Sequence, residues 1–247
     1  MRTLVFAKRN AREILLDPLS LILGLGFPIV MLLLLSFINN AIPVEVDMFK
    51  IERLAPGIAV FGYTFLTLFI ALLISQDRCG AFLTRLYSSP MKSGEFILGY
   101  IIPMLPIALL QTVICFGAGV FFGLEMNVKL ILAALILQVS ALFYISLGVL
   151  FGALLNDKAV GGIGSIVINV ATLSAGVWFP LEDMKGTAFY DICTNMPFYH
   201  TVKLGSAVLT GEYELLPKSV VFVGVSAIVA TMLAAIVFSR KMSADNA

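Results

Sequence analysis

Charged residues are scarce in this chain of 247 residues: only 13% are Asp, Glu, Lys or Arg, about half the share in soluble domains. With 60% hydrophobic residues, this scarcity excludes a water-soluble globular domain. The net formal charge of +1 excludes the basic field that would hold a nucleic acid. Disorder is excluded by the low charge density, and three cysteines are too few for a disulfide scaffold. An integral membrane protein remains.

The chain contains long runs of uncharged residues. A helix of at least about 18 such residues crosses roughly 30 Å of hydrocarbon. The chain has six runs of this kind, Leu19–Ile38, Leu54–Gln76, Phe96–Leu124, Leu130–Asn156, Ala159–Leu181 and Ser219–Ser239. The sequence has no ten-residue segments of alternating apolar and polar residues separated by turns, which argues against a transmembrane barrel. We therefore predict a single all-α transmembrane domain of six helices over residues 1–247.

Lysine and arginine are divided unevenly between the two sides of this predicted bundle. The side that holds both termini carries ten of them, and the other side carries six. Because short loops rich in these residues stay cytoplasmic, we predict cytoplasmic termini in a multi-pass protein of the inner (plasma) membrane. The first run follows a basic stretch, but it is longer than the h-region of a signal peptide, about 7–15 residues. It is therefore interpreted as an uncleaved helix.

Residues 1–18 precede the first run and are predicted to form an amphipathic helix that ends at Pro18. The apolar residues that share one arc of this helix are Leu4, Ala7, Ala11, Ile14 and Leu15. The cations Lys8, Arg9 and Arg12 lie on the remaining surface. Such a helix can lie flat in the inner membrane interface, with its cations near anionic headgroups. The alternative is a cytosolic helical extension of the first span.

The stretch between the second and third runs, Gln76–Glu95, is too long for a simple turn. Apolar residues recur in it at helical spacing beside Arg78 and Arg85, and Ser88, Ser89 and Pro90 end this predicted helix. The apolar residues are Phe82, Leu83, Leu86 and Tyr87. Because exposed apolar patches usually mark contacts, this cytoplasmic helix is interpreted as a docking surface. A short helix resting on lipid headgroups is the alternative.

The outer stretch after the fifth run mixes acidic residues with two apolar pieces, Ile192–Phe198 and Val202–Leu209, each too short to span a membrane. Short apolar helices beside a membrane commonly enter it and return where protein or water covers their backbone. We predict a partly re-entrant helical pair that is broken at Pro197. A soluble helical cap packed on the bundle is the alternative.

The sequence lacks the motifs that usually mark a catalytic site and the intramembrane charges that mark an ion relay. No charge lies at the centre of a run, which disfavours a secondary carrier that needs an intramembrane relay. The sequence has no GxxxxGK[ST] phosphate loop, HExxH, CxxC or GxSxG, so we predict no catalytic site in this chain. A polytopic enzyme acting on a lipid is the alternative, with Glu182, Asp183 and His200 as its polar outer site.

Two segments make the chain resemble the membrane subunits of ABC-2 type ATP-binding-cassette exporters. Asp77–Tyr100, DRCGAFLTRLYSSPMKSGEFILGY, is similar to the family's cytoplasmic segment with its glycine, leucines and proline. Ala175–Leu204 is similar to its outer signature, through Gly176, Trp178, Phe179, Pro180, Met184, Asn195 and Pro197. The chain departs from the pattern at three positions. Cys79 precedes the glycine in place of a charged residue, Lys185 follows Met184 where the family often has proline, and Met196 splits the Asn-Pro pair. The order of parts resembles the family over the whole chain.

The resemblance implies a permease that works as a homodimer, or as a heterodimer with a similar chain. Two separately encoded ATP-binding-cassette ATPase subunits would bind it and would hold the ATP and Mg, while this chain would bind no cofactor. The coupling helix would present Arg78, Phe82, Leu83, Arg85, Leu86 and Tyr87 to the ATPase. The N-terminal helix would be the connecting helix at the same interface, with Lys8, Arg9 and Arg12.

The resemblance also implies alternating access and export of a substrate, driven by ATP hydrolysis on the partner subunits. The second and fifth spans would face each other across the dimer. The substrate path would then include Phe61, Tyr63, Thr64, Phe65, Asn169, Thr172 and Ser174. A drug, an antibiotic, a lipid or a lipid-linked glycan would each suit a largely apolar path, and no cluster of charges selects among them.

Overall fold

A computed structural model of the chain describes residues 2–42, 47–79 and 93–245. Every regular element in this part of the chain is a helix, which confirms the all-α class. The predicted docking residues Phe82, Leu83, Arg85, Leu86 and Tyr87 lie outside the described residues. Their helix therefore stays a prediction.

Nine α-helices follow one another along the described chain. They are α1 (Arg2–Leu16), α2 (Pro18–Ala41), α3 (Ile51–Cys79), α4 (Ser93–Phe121), α5 (Val128–Leu154), α6 (Asp157–Ser174), α7 (Ala188–Thr194), α8 (Pro197–Thr210) and α9 (Leu216–Asp245). Short 3₁₀ helices lie at Asp47–Phe49, Leu181–Met184 and Tyr213–Leu215. Within α2, residues Ile22–Gly26 form a π-helical stretch. Local capping sets several of these starts: Asp17 accepts hydrogen bonds from the backbone of Leu19 and Ser20, and Asn127 and Asn156 begin α5 and α6 in the same way.

Five helices of the described chain are long and apolar enough to cross a membrane. Their ranges are Pro18–Ala41, Ile51–Cys79, Gly94–Phe121, Val128–Leu154 and Tyr213–Arg240, and they confirm five of the predicted runs to within a few residues. The fifth predicted run, Ala159–Leu181, is helical only as far as Ser174. Its helix, α6, is not among the five because Asp157, Lys158 and several small polar residues lower its apolar content. The count of six spans thus stays a prediction.

The core of the bundle is built around α3. Almost every residue of this helix from Leu54 to Ile74 is buried, and α2, α4, α5, α6 and α8 pack against it. Gly148 and Gly152 of α5 lie directly over the backbone of α3. Small residues allow two membrane helices to approach in this way. By contrast, most apolar side chains of α2 and α9 are at least partly exposed.

The N-terminal helix α1 forms as predicted, but its apolar arc is divided between two environments. Ala7 and Ile14 are buried, whereas Leu4 and Leu15 are 64% and 42% exposed. The buried stripe also includes Phe6 and Asn10. Burial of Asn10 is compensated because its side chain donates a hydrogen bond to the Gly99 carbonyl at 3.1 Å. Apolar periodicity alone gives no weight to an asparagine that finds a partner inside the protein.

The segment predicted to lie outside, residues 181–218 and named the outer segment below, contains the predicted pair of short helices. They are α7 and α8, and the break lies at Asn195 and Met196, immediately before Pro197 at the start of α8. Helix α8 packs on α3, α5 and α9, and its residues Leu204–Leu209 are buried. Re-entry of this pair into the membrane stays a prediction.

Candidate functional site

The last turn of α3 carries a carboxylate buried at the end of the bundle. Asp77 is only 5% exposed. It accepts two hydrogen bonds from the Arg9 guanidinium, at 2.6 and 2.7 Å, and one from the Tyr100 hydroxyl at 2.8 Å. Burial disfavours the charged guanidinium, but the hydrogen bond and charge of Asp77 outweigh it and raise the pKa of Arg9 above its usual value. The cluster fastens α1 to α3 and α4.

The neighbouring residue, Arg78, binds a different helix. Its guanidinium donates hydrogen bonds to the carbonyls of Gly152 at 2.9 Å, Ala153 at 2.8 Å and Leu155 at 3.2 Å. These carbonyls belong to the C-terminal end of α5, where the helix dipole favours a cation. The sequence assigned Arg78 to the docking helix, and in the structure it lies within α3. One turn earlier, the Ser75 hydroxyl donates to the Asp157 carboxylate at the start of α6.

The predicted connecting-helix cations point in different directions. Lys8 and Arg12 are exposed, and they border an open depression together with Val5, Leu16 and Pro18. Arg9 turns toward Asp77 and also pairs with Glu13 at 2.6 Å. The structure therefore leaves two of the three cations on the open surface of α1.

The predicted path residues of α3 lie inside the bundle. Phe61, Tyr63, Thr64 and Phe65 are all buried. The Phe61 ring meets Trp178 at 5.0 Å between centroids, so the structure brings a path residue and a signature residue together. The Thr64 hydroxyl bonds to the Phe61 carbonyl of its own helix at 2.6 Å.

The predicted path residues of α6 are divided between two faces of that helix. Thr172 and Ser174 are buried, and their hydroxyls donate to carbonyls of α6 itself. Asn169 is exposed and donates to the Ser165 carbonyl at 2.8 Å. Because Asn169 lies on the open face of α6, a single copy of the chain does not bring all the path residues around one cavity.

The outer signature is organised by Glu182, a residue that the sequence assigned only to the alternative lipid enzyme. Its carboxylate accepts hydrogen bonds from Tyr199 at 2.7 Å and pairs with Lys203 at 2.7 Å and Lys185 at 3.1 Å. Burial favours the neutral acid, but the bonds from Lys203 and Tyr199 outweigh it and lower the pKa of Glu182 to about 2. Nearby, Arg53 in the first turn of α3 pairs with Glu212 at 2.9 Å. The contacts of Glu182 hold the outer segment together, and the Arg53–Glu212 pair joins this segment to α3.

The other signature residues shape the same segment. Gly176 has a φ of +68°, a left-handed conformation that favours glycine, and it turns the chain after α6. Phe179 contacts Phe189 at 5.9 Å between ring centroids, and Pro180 precedes the 3₁₀ helix that ends at the partly exposed Met184. Asn195 donates to the Asp191 carbonyl at 2.7 Å, and Pro197 begins α8.

The alternative lipid-enzyme site does not assemble in this part of the chain. His200 donates from Nε2 to the Thr194 carbonyl at 3.1 Å, and its Nδ1 accepts from Ser219 at 3.0 Å. Glu182 is held by Tyr199 and Lys203. In the described residues, His200 and Glu182 therefore bind different partners and do not form an acid–base pair with each other.

A cavity of about 150 Å³ lies between the start of α3, the loop after α6 and α8. Arg53, Glu182 and Lys203 are among its lining residues. Pockets that hold a drug-sized molecule are larger, at about 300–1,000 Å³. This cavity of one copy is therefore too small to enclose such a substrate.

Lowering the pH is expected to destabilise the folded outer segment by protonating Glu182. Its folded-state pKa of about 2 lies below the usual 4.5, so its stabilisation is present above the unfolded pKa and is lost as the pH falls from about 5 toward 2. The melting temperature of the purified protein, measured from pH 6 to pH 3, should therefore fall less steeply in Glu182→Gln than in the unchanged protein. Asp183→Asn, on the adjacent exposed residue, is the control and should keep the original slope. Equal slopes in all three proteins would contradict the role of Glu182.

Comparison with known protein families gives a match over most of the chain. The family model described as ABC-2 type transporter matches residues 1–210, which include every element from α1 to the end of α8. No curated protein matches the chain.

Proposed function

The chain belongs to the ABC-2 type transporter family, as its sequence resemblance predicted, and from this premise we propose that it is the permease subunit of an ATP-driven exporter. The family match over residues 1–210 carries the proposal. The chain has several membrane-spanning helices and no phosphate-loop motif. ATP and Mg would therefore be bound by separate ATP-binding-cassette subunits, two of which attach to the cytoplasmic side and drive alternating access.

We propose a sixth crossing by α6, with both termini cytoplasmic in the plasma membrane. Helix α6 accompanies α3 along its length: Asp157 bonds to Ser75 at one end, and Gly164 lies against Leu68 in the middle. At the other end Val177, just beyond α6, approaches Gly57. The stretch of α3 from Gly57 to Ser75 is about 27 Å long at about 1.5 Å per residue, close to the roughly 30 Å of a hydrocarbon core. An excess of Lys and Arg on the side of the termini supports the orientation.

We propose that two permease copies, identical or related, form the substrate path between them. The open face of α6 supports this arrangement, because polar groups such as Asn169 are costly against lipid and usually face protein or water. Phe61 and Trp178 supply an aromatic pair just beyond the end of α6. The proposed substrate is apolar or amphipathic, as drugs, antibiotics, lipids and lipid-linked glycans are.

Association with an ATPase subunit tests the proposal. An ATP-binding-cassette protein encoded beside this chain should co-purify with it in detergent, and the complex in vesicles should transport a substrate only with ATP. Leu86→Asp, in the predicted docking segment, should remove the association because a charge replaces an apolar contact. The expected loss of ATP-driven transport is at least about tenfold.

Leu215→Asp is the matched control, because Leu215 is an exposed leucine of the outer segment. It should co-purify and transport like the unchanged chain. Unchanged transport by Leu86→Asp would remove the docking role from this segment. A chain that binds no ATPase subunit, or that transports on an ion gradient without ATP, would overturn the permease proposal.

A further inference from the structure

The last turn of α3 is bonded to four other helices at once. Asp77 binds Arg9 of α1 and Tyr100 of α4, Arg78 binds the end of α5, and Ser75 binds the start of α6. Helix α3 is described as far as Cys79, and the predicted docking segment follows it in the sequence. We propose that Asp77 is the positioning residue that makes α1, α3 and α4 move as one unit when an ATPase acts on this end of the bundle, an inference that rests on the proposed function.

The contact between Asp77 and Arg9 joins α3 to α1 in a geometry that opposes sliding of one helix along the other. Arg9 offers both terminal nitrogens to the two carboxylate oxygens, and such two-point contacts fix orientation as well as distance. Because Asp77 is buried, loss of its partner would leave a charge without compensation inside the protein. Movement of α3 therefore carries the N-terminal helix with it.

Packing around the ion pair makes α4 part of the same unit. The Phe6 ring meets Tyr100 edge-on at 4.9 Å between centroids. It also covers Gly99 so closely that a Cβ there would lie 2.3 Å from the ring. Asn10 adds a hydrogen bond to the Gly99 carbonyl. Helices α1 and α4 thus interlock around Tyr100, whose hydroxyl bonds to Asp77.

Adjacent residues on a helix point about 100° apart, so Asp77 and Arg78 reach different neighbours. Asp77 binds side chains of α1 and α4, and Arg78 binds main-chain carbonyls of α5. A displacement applied at the end of α3 is therefore shared among the surrounding helices. The expected function of Asp77 is to convert docking of an ATPase into concerted movement of these helices, without itself touching ATP or the substrate.

The inference is tested in the reconstituted complex of this chain with its ATPase subunits. Asp77→Asn keeps the size of the side chain and removes its charge, so Arg9 loses its ionic contact with α3 and keeps only its pair with Glu13 on its own helix. Assembly and basal ATPase activity should stay within about twofold, while substrate transported per ATP falls by about tenfold. Gln76→Ala, on the exposed neighbouring residue of the same turn, is the control and should couple normally.

A charge exchange separates positioning from a merely structural contribution. The double variant Arg9→Asp with Asp77→Arg restores opposite charges, and it should recover transport per ATP relative to either single change. If Asp77→Asn does not assemble, Arg9→Lys takes its place, because it keeps the charge and loses the two-point geometry. It should lower the same ratio.

The possible outcomes distinguish this inference from the proposed function. If the unchanged complex shows no ATP-driven transport, the permease proposal fails, and the inference fails with it. If the unchanged complex transports and both Asp77→Asn and Arg9→Lys couple like Gln76→Ala, only the positioning role is overturned. Loss of transport in strict proportion to loss of assembled, heat-stable complex would also overturn it, because that result indicates a structural role alone.

Discussion

Gly148→Val is expected to prevent the chain from folding into a stable bundle. A Cβ at Gly148 would lie 2.7 Å from the carbonyl oxygen of Thr67 and 3.1 Å from its Cα. These are backbone atoms of α3, which cannot rotate away as a side chain can, so the two helices would have to separate. Separation would break the 2.8 Å hydrogen bond from the Thr67 hydroxyl to the Tyr144 carbonyl. Overpacking of this kind typically costs about 1–3 kcal/mol, and the two further methyl groups of valine increase it.

A graded series measures this effect. Gly148→Ala should lower the melting temperature in detergent, and Gly148→Val should leave little monodisperse protein on size-exclusion chromatography. Gly117→Val is the matched control, because a Cβ there would meet no atom of another described helix within 4 Å. Equal yield and melting temperature for Gly148→Val and Gly117→Val would contradict the close contact between α3 and α5.

Ser165→Trp is expected to convert the proposed permease dimer into monomers and to abolish transport. Gly161, Ser165 and Asn169 follow one another at intervals of four residues, so they share one face of α6. Ser165 donates to the Gly161 carbonyl at 2.9 Å, and Asn169 continues the series. A Cβ at Gly161 or Gly162 would meet no atom of another described helix within 4 Å. Small residues on an open face allow a second helix to approach closely, and an indole would hold it away.

Light scattering on the purified protein in detergent distinguishes monomer from dimer. Val225→Trp is the control, because Val225 is an exposed apolar residue of α9, outside the proposed interface. As an independent measurement, Asn169→Cys should form a cross-linked dimer on oxidation in a Cys79→Ser background, which removes the exposed native thiol. If Ser165→Trp stays dimeric and transports like Val225→Trp, the partner copy binds elsewhere.

Length and composition predict which segments span the membrane, but they do not predict which of them lie at the centre. Helices α2, α3 and α9 are all strongly apolar, yet α3 is almost entirely buried while α2 and α9 face outward. Lipid and protein interior are equally apolar, so hydropathy does not distinguish them. The available signal is the small and hydroxylated residues of α3, such as Gly57, Gly62 and Thr67, which pack closely or bond to neighbouring helices.

Local features of the candidate site could be predicted from the sequence, whereas contacts between residues distant in the sequence could not. The N-terminal helix and its cations are readable from residues 1–18 alone. That Arg9 binds Asp77 is not, because the two residues are 68 positions apart and the pairing depends on how α1 packs on α3. The resemblance likewise located the outer signature, while the contact between Glu182 and Lys203 required α8 to fold back on the loop after α6.

The difference between the partners of Asp77 and Arg78 sets different evolutionary constraints on two adjacent codons. Asp77 binds the side chain of Arg9, so a substitution at either position can be compensated by a substitution at the other. Arg78 binds main-chain carbonyls, which no mutation replaces, so only a residue that can itself donate hydrogen bonds substitutes for it. In descendants of this sequence, positions 9 and 77 are therefore expected to covary, whereas position 78 is expected to evolve alone and slowly.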